Sequence, residues 1–388
     1  MSAHAETPNP TAPIIEAKLD AGQVKRLLPV LTLATDRYSK VPILSHVRIT
    51  LDQGATTITA TDIDNELTVQ IDADAAGSGS ILVNPKPLGP LARAAAGCLR
   101  LSMPEPEVVE VSGGYVTLRL GSFIPPDDFP QFRQTGDFCD PADLSQDALL
   151  RLITLSRDFA STEETRYYLN GIFLCPHPQR GTLRAVATDG HRMAVIDSDE
   201  RLDLPVNSST DWADVIVPRK TVDILRRMLT RGGNEPVTVR ASRTQIIFAT
   251  PDWTLRAKLI DGTYPDFARV LPARSDNLRA HISASTIQTL VAAHIASGAE
   301  SFRGAELDAK RGAIVIRGYD GAETTAPATI HRDPAAGDRP WGFNAVYLSD
   351  LSKILGDLHL TAADPDSPAR LRSEDHPDAL WVMMPMRV

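Results

Sequence analysis

The sequence has few cysteines and no long apolar run. Its three cysteines, Cys98, Cys139 and Cys175, are widely separated and form no CxxC pair, which argues against a disulfide framework or a zinc site. No apolar run approaches the roughly 18 residues that a membrane span requires. The sequence therefore predicts neither a membrane protein nor a disulfide-stapled domain.

Motifs of common active sites are also missing. We find no GxSxG elbow, no HExxH helix and no glycine-rich Lys-Ser/Thr loop. The stretch TDIDNE at 61–66 has three carboxylates but lacks the glycine and the distal glutamate of a calcium loop, so a solvated turn is the better interpretation. We expect no metal, no cofactor and no catalytic activity.

Positive charge is scarce overall. The 388 residues carry a formal net charge of −9, which counts against a nucleic-acid partner unless the Lys and Arg residues are clustered. Residues 1–13, MSAHAETPNPTAP, have no basic segment followed by an apolar one. They are therefore predicted to be a disordered tail and not a signal peptide, and we expect a cytoplasmic protein.

The chain contains a weak threefold repeat. Three segments each have an apolar residue, then a capping Asp or Ser, then further apolar positions. This pattern is typical of a helix that starts after the end of a strand. The segments are LDAGQVKRL at 19–27, LSQDALLRL at 144–152 and ISASTIQTL at 282–290. A second helix is predicted in VNPKPLGPL at 83–91, VPRKTVDIL at 217–225 and FNAVYLSDL at 343–351. These landmarks recur at nearly one period, although a polar–apolar rhythm alone could produce chance similarity.

Each repeat also has strand-like stretches around a turn aspartate, at Asp62, Asp189 and Asp320. Apolar residues alternate, as in Val237, Val239 and Ala241, or recur, as in Ile58, Ala60 and Ile63. The predicted class is α+β with antiparallel sheets. Loop-rich segments suggest three domains, at 14–138, 139–273 and 274–388.

The stretch VATDGHRMAVI at 186–196 allows two interpretations. Asp189 orients His191 for catalysis, or the residues form a tight turn with Gly190 supplying permissive dihedral angles. The recurrence of the aspartate favours the turn. His191 does not recur, so a special role for it stays open.

The helix predicted at 219–231 has one apolar face and one basic face. Solvation alone explains many charged helix faces, but basic residues also occupy helix positions in the other repeats. If the repeats surround an axis, these helices form a positive lining. The basic residues are Arg219, Lys220, Arg226, Arg227 and Arg231, and elsewhere Lys25, Arg26, Lys86, Arg93, Arg151, Arg157 and Lys353.

Five motifs in order resemble the bacterial DNA polymerase III beta subunit, the replicative sliding clamp: TRYYLNGIFL, AVATDGHRMAVI, VPRKTVDILRRML, KLIDGTYPDFARVLP and WVMMPMRV. The resemblance runs from about residue 14 to the last residue. It implies three clamp-type domains per chain, closed head to tail into a homodimeric ring with helices lining a pore and sheets outside. It also implies a processivity factor without catalytic activity, which encircles duplex DNA independently of sequence.

By the same resemblance, the TDGHR turn helps to form a pocket for short peptides with apolar and Gln side chains. Such peptides occur on the DNA polymerase III catalytic subunit, the clamp loader, other polymerases and repair proteins. The pocket would comprise Leu169, Thr188, Gly190, His191, Arg192, Met193, Pro265, Arg269, Val270, Val382, Met384, Pro385, Met386, Arg387 and Val388. Flexible methionines suit a surface with several partners.

The resemblance implies DNA contacts at Lys86 on a pore helix, at Arg37, and at a loop that touches single-stranded template. Aromatic faces there stack on bases while arginine neutralises phosphate. The loop and the middle basic helix would contribute Glu163, Arg166, Tyr167, Tyr168, Arg219 and Lys220. Glu163 stands where the family often has an amide, which predicts a weaker single-strand contact.

The sequence departs from the family at the ring interface. Arg119 and Gly121 replace apolar residues, Pro87 replaces a basic residue, and the acidic run that faces them is reduced to Glu323. These departures argue against ordinary homodimer strength and suggest a divergent or second-copy clamp. A clamp-derived protein that binds partners without closing on DNA is the alternative.

Overall fold

The protein is described by a computed structural model. The structure describes residues 15–52, 55–105, 108–121, 124–201, 214–298, 304–318, 321–337 and 339–388. The predicted tail at 1–13 and the turn residue Asp320 lie outside the described residues. No helix in these ranges is long and apolar enough to span a membrane.

Six α-helices, six short 3₁₀-helices and 26 strands make up the described chain. The α-helices are α1 (Ala21–Ala34), α2 (Pro85–Ala94), α3 (Gln146–Ser156), α4 (Arg219–Leu229), α5 (Ala284–Ala296) and α6 (Ala345–Leu355). The first ten strands are β1 (Ile15–Asp20), β2 (Val47–Asp52), β3 (Ala55–Thr61), β4 (Asn65–Ile71), β5 (Ala73–Ala76), β6 (Gly79–Val83), β7 (Cys98–Glu105), β8 (Val108–Gly113), β9 (Val116–Gly121) and β10 (Ala142–Leu144). The next seven are β11 (Gly171–Pro176), β12 (Thr182–Thr188), β13 (Arg192–Arg201), β14 (Val215–Pro218), β15 (Val237–Ala241), β16 (Gln245–Ala249) and β17 (Trp253–Lys258). The last nine are β18 (Leu278–Ile282), β19 (Gly304–Asp308), β20 (Ala313–Arg317), β21 (Glu323–Pro327), β22 (Thr329–Arg332), β23 (Trp341–Asn344), β24 (Leu358–Ala362), β25 (Ala369–Arg372) and β26 (Ala379–Met383).

All six predicted helix starts are confirmed, and side-chain caps explain several of them. The carboxylate of Asp20 accepts the N–H of Gln23 at 2.5 Å at the start of α1. Ser283 accepts the N–H of Thr286 at 3.3 Å at the start of α5. Asn84 and Asn344 cap α2 and α6 in the same manner. Each cap supplies an acceptor for a backbone N–H that lacks a partner within its helix.

The chain divides into two compact units. The first comprises residues 1–146 and 223–259, and the second comprises residues 147–222 and 260–388. In the first unit, one sheet has the order β5-β1-β7-β8-β9 and another has the order β10-β15-β16-β17-β4-β3-β2-β6. In the second unit, the sheets have the orders β14-β11-β12-β13-β26-β25-β24-β18-β22 and β21-β20-β19-β23. All recorded pairings between described strands are antiparallel, which confirms the predicted α+β class, while the three-domain boundaries stay a prediction.

Strand alternation builds the cores. Val237, Val239 and Ala241 on β15 are at most 2% exposed while the residues between them are not buried, as the sequence pattern predicts. Ile58 and Ala60 on β3 are also buried. Ile63 is not a strand residue, however, because β3 ends at Thr61.

The aspartate turns explain why Ile63 departs from the pattern. Asp62 accepts the N–H groups of Asp64 and Asn65 and so forms a turn between β3 and β4. Ile63 lies in this turn with φ of 80° and is 49% exposed. Gly190 adopts φ of 90° at the corresponding position after Asp189, and only glycine takes such an angle without strain. The turn interpretation is therefore confirmed for both aspartates.

Candidate functional site

A mostly apolar cavity of about 320 Å³ opens in the second unit. Its floor is one face of β13 and β26, where Met193 and Val382 are register partners and both are buried. The cavity is lined by Arg166, Tyr168, Leu169, Thr188, Gly190, His191, Arg192, Met193, Tyr264, Pro265, Asp266, Phe267, Val270, Val382 and Met384. Few polar groups in an apolar cleft of this size are typical of a site for small ligands or short peptides.

One wall of the cavity comes from the segment that follows β17. The rings of Tyr264 and Phe173 stack with centroids 4.6 Å apart, and Phe267 meets Phe173 edge to face at 6.2 Å. Burial raises the pKa of Tyr264 well above its usual range, so its hydroxyl stays neutral. Aromatic contacts thus fix this wall against the sheet.

The TDGHR turn forms the opposite rim, and its hydrogen bonds show how the carboxylate of Asp189 is engaged. The Oδ1 atom of Asp189 accepts the backbone N–H groups of His191 and Arg192, each at 2.9 Å. Its Oδ2 atom accepts from Nε of Arg192 at 3.1 Å. The carboxylate therefore holds the turn and Arg192, and the imidazole of His191 is left exposed at the cavity.

Arg192 is held from several directions. Its guanidinium donates to the carbonyl of Asp158 at 3.1 Å and lies 4.3 Å from the ring centroid of Tyr347 and 5.3 Å from that of Phe159. Together with the hydrogen bond from its Nε atom to Asp189, these contacts hold the guanidinium of Arg192 in one position. The cation is a preformed part of the cavity rim.

The last five residues are attached at two points. The N–H of Met384 donates to the carbonyl of His191 at 2.8 Å, and the N–H of Met386 donates to the carbonyl of Gly342 at 2.9 Å. The side chain of Val388 packs where Gly342 and Gly304 have no side chain of their own. The segment thus continues from β26 along the cavity and then leaves it.

Comparison with known proteins identifies the family. A beta sliding clamp of Pseudomonas aeruginosa is 30% identical over 361 residues, covering 91% of this chain and 94% of that protein. The chain belongs to the beta sliding clamp family. A model described as the central domain of the DNA polymerase III beta subunit matches residues 143–266, and the Escherichia coli K12 beta sliding clamp is 29% identical over 366 residues, covering 90% of this chain and 93% of that protein. The resemblance inferred from the five motifs is thereby confirmed, and with it the function of a DNA sliding clamp.

Solved structures agree with this assignment. A DnaN sliding clamp of Bartonella birtlesii bound to griselimycin has a TM-score of 0.84 and 28% identity, covering 96% of this chain and all of that one. A DnaN sliding clamp of Pseudomonas aeruginosa bound to griselimycin has a TM-score of 0.82 and 27% identity over the same shares. The clamp fold therefore extends over nearly the whole chain.

The cavity brings together ten of the fifteen pocket residues predicted for this clamp. Those ten are Leu169, Thr188, Gly190, His191, Arg192, Met193, Pro265, Val270, Val382 and Met384. The other five do not line it. The side chain of Arg269 is exposed and pairs with Asp266, and the four residues Pro385, Met386, Arg387 and Val388 follow the chain away from the cavity as their contacts with Gly342 and Gly304 require.

Five of the residues that line the cavity were not among the fifteen predicted for it. Tyr264, Asp266 and Phe267 were missed, although the aromatic residues on either side of Pro265 in DGTYPDFARVLP were an available signal. Arg166 and Tyr168 were predicted to bind DNA, which stays a prediction, and both also line the cavity. Arg166 lies over the turn, since a Cβ added to Gly190 would be 2.7 Å from its Nη1 atom.

The remaining residues that were predicted to contact DNA differ in the exposure and the hydrogen bonding of their side chains. Arg37 is exposed and lies 4.6 Å from the ring centroid of its neighbour Tyr38, and Lys86 is exposed in the first turn of α2. Tyr167 is 54% exposed. Arg219 instead donates to the carbonyl of Ala160 at 3.3 Å, so its guanidinium is partly committed to the protein itself, and Lys220 is half-buried.

Glu163 forms an ion pair with Arg166. The distance between Oε2 of Glu163 and Nη2 of Arg166 is 2.7 Å, and Nε of Arg166 donates to the same oxygen at 2.9 Å. This hydrogen bond raises the pKa of Arg166. The arginine thus has part of its charge neutralised within its own loop.

Three arginines of the first unit line one cavity of about 320 Å³. They are Arg26 of α1, Arg227 of α4 and Arg231, which follows α4. Burial and the nearby charge of Arg26 lower the pKa of Arg231, whose Nη1 atom is buried and has no hydrogen-bond partner in the described part of the chain. No carboxylate within the described ranges forms an ion pair with any of the three. We call these residues the arginine cluster.

Proposed function

We propose that this clamp encircles duplex DNA and holds partner proteins through short peptides that bind in the apolar cavity. The observation that carries the proposal is the cavity itself, with a buried floor of Met193 and Val382 and a fixed cation, Arg192, on its rim. Partners of this chemistry include the DNA polymerase III catalytic subunit, the clamp loader and other polymerases and repair proteins. Griselimycin, found on two relatives, is proposed to bind the same cavity here.

The proposed ring is a homodimer of chains that each contain three clamp domains, at 14–138, 139–273 and 274–388. Two sheet edges support head-to-tail closure, since among the described strands β9 and β21 each end a sheet and present one edge without a neighbouring strand. Opposite charges on these edges, Arg119 on β9 and Glu323 on β21, favour pairing between two chains. Arg119 already pairs with Glu105 and Glu110 in its own chain, and Glu323 pairs with Arg311 and Arg317, which supports a weaker closure than apolar edges would give.

The proposed role requires no bond-making chemistry from the protein. A closed ring resists dissociation because it is linked topologically to DNA, and sequence-independent attraction to phosphate still permits sliding. The engagement of Asp189 with Arg192 supports a binding role for the TDGHR turn over a catalytic one. We also propose a cytoplasmic location, because the proposed role is in DNA replication.

Retention on closed DNA tests encirclement. The clamp should be loaded with the ATP-driven loader of the same cell onto a nicked circular plasmid and separated from free protein by gel filtration at 0.2 M salt. We expect retention on the circle and loss within minutes after a restriction enzyme linearises it, because only a topological link depends on closed ends.

Light scattering on the free protein completes this test. A ring requires a mass near twice the 42.1 kDa of one chain at micromolar concentration. Equal retention on circular and linear DNA would contradict encirclement. Peptide binding without retention on either form would instead support a clamp-derived binding protein that does not close on DNA.

Glu163→Gln should strengthen binding to single-stranded DNA about threefold at low salt, because it removes the carboxylate that neutralises Arg166. Fluorescence anisotropy with a labelled 20-nucleotide strand measures the effect. Glu164→Gln is the matched control, since the side chain of Glu164 lies next to Glu163 in the sequence, is exposed and forms no ion pair within the described ranges. An equal gain from both variants would show that net charge alone, and not Arg166, accounts for the result.

A further inference from the structure

A line of basic residues crosses the sheet face beside the cavity. Val382 on β26 is the register partner of Arg370 on β25, and Arg370 is the partner of Thr361 on β24. Thr361 pairs with Arg279 on β18, which pairs with His331 on β22. Because register partners on one face are neighbours, the line starts at a residue that lines the cavity.

A parallel row widens this line. Arg372 on β25 is the partner of His359 on β24, and His359 is the partner of His281 on β18. The rings of His281 and His359 have centroids 4.7 Å apart. We call the three arginines of the two rows, Arg279, Arg370 and Arg372, the basic track.

The charges of the basic track are not neutralised within the described chain. None of its three arginines forms an ion pair with a carboxylate there. Asp357 lies beside the second row, with its Oδ2 atom 3.4 Å from Nε2 of His281. Arg370 is half-buried and donates to the carbonyl of Pro272 at 2.6 Å, and burial, with Arg372 and Arg274 nearby, lowers its pKa. In a chain with a net charge of −9, such a cluster stands out as an anion-binding surface.

We infer that the basic track binds an acidic segment adjacent to the apolar core of a peptide seated in the cavity, an inference that rests on the proposed function. Strands lie about 4.8 Å apart, so Val382 and Arg279 are separated by about 14 Å, which about four extended residues span. Continuity with the cavity favours a peptide as the occupant over nucleic acid. The occupant is therefore a short partner segment with about four Asp or Glu residues next to its apolar residues.

Fluorescence anisotropy on the full-length clamp tests this inference. The probes are fluorescein-labelled peptides with a core of one Gln and four Leu, joined to four Glu before the core, four Glu after it, or four Gln on either side. We expect one acidic peptide to bind about tenfold more tightly than its neutral counterpart at 50 mM salt, the combined effect of three exposed charge pairs.

The decisive variant is Arg279→Gln with Arg372→Gln. Both side chains are exposed. Arg370 is left in place because its guanidinium donates a hydrogen bond to the carbonyl of Pro272, which its replacement would remove. The variant should reduce the tenfold difference to less than about threefold and leave binding of the neutral peptide unchanged. Arg93→Gln with Arg243→Gln removes two exposed charges elsewhere and should keep the difference.

Each other outcome overturns the inference in a distinct way. Equal binding of acidic and neutral peptides, or a difference that persists in the double variant, would overturn the track and leave the cavity proposal intact. Binding of neither peptide would overturn both proposals. Loss of affinity for a labelled 20-base-pair duplex in the double variant, without an effect on the acidic peptides, would assign the track to nucleic acid.

Discussion

Removal of Met384–Val388 should abolish the proposed binding of griselimycin and of partner peptides. Met384 lines the cavity beside Val382. Its backbone N–H donates a hydrogen bond to the carbonyl of His191 and so joins the end of β26 to the TDGHR turn. Truncation after Met383 therefore removes an apolar wall and a contact that positions the rim. We expect at least a hundredfold loss of affinity, since truncation of central residues in a binding site commonly costs several kcal/mol. Isothermal titration calorimetry with griselimycin measures it.

A shorter truncation distinguishes the effect of Met384, which lines the cavity, from that of Val388, which anchors the C-terminus. Removal of only Arg387 and Val388 keeps Met384 and Met386 but eliminates the packing of Val388 on Gly304 and Gly342. We expect about a two- to fivefold loss of affinity, because the anchor acts on the cavity indirectly. Thermal unfolding should shift by only a few degrees in both truncated proteins. Unchanged binding after removal of all five residues would contradict the assignment of the cavity as the peptide site.

Reversal of charge in the arginine cluster should weaken DNA binding by one to two orders of magnitude at low salt. Arg26→Glu with Arg227→Glu replaces two cations that have no carboxylate partner among the described residues. Each lost phosphate contact also reduces the slope of log affinity against log salt by about one. Anisotropy with a labelled duplex across 50–200 mM salt measures both quantities. Arg231 is kept because its half-buried side chain contributes to packing.

Matched charge reversals on other surfaces provide the control. Arg100→Glu and Arg339→Glu alter exposed arginines that already pair with Glu16 and Asp366. They should change affinity about twofold or less, while peptide binding stays unchanged in all variants. An equal loss from both pairs of substitutions would mean that total charge governs DNA binding, and that the arginine cluster has no special part in it.

Local patterns in the sequence were sufficient for the helix starts, for the α+β class and for the turns at Asp62 and Asp189. These features depend on neighbouring residues, as when Asp20 caps α1 or when Gly190 accepts a positive φ. Ile63 shows the limit of such patterns. An apolar residue three positions beyond Ala60 suggested a strand, but the hydrogen bonds of Asp62 place Ile63 in a turn.

Ten pocket residues followed from motif resemblance because four short motifs carry them as local units: TRYYLNGIFL, AVATDGHRMAVI, KLIDGTYPDFARVLP and WVMMPMRV. The roles of Tyr264, Phe267 and Val388 depended on contacts between segments that are far apart in sequence. Tyr264 meets Phe173 by stacking, and Val388 fills the space above Gly342. No spacing rule within one segment predicts such contacts.

The sequence by itself determined the family, the repeated strand–helix units and the turn chemistry, because each is encoded in residues close together along the chain. Tertiary structure alone decided which charges are neutralised and which are free. Arg100 is paired with Glu16, whereas Arg279, Arg370 and Arg372 form one basic track through the register of β18, β24 and β25. Electrostatic interactions depend on distance in space, and strand register brings together residues that the sequence separates by about ninety positions.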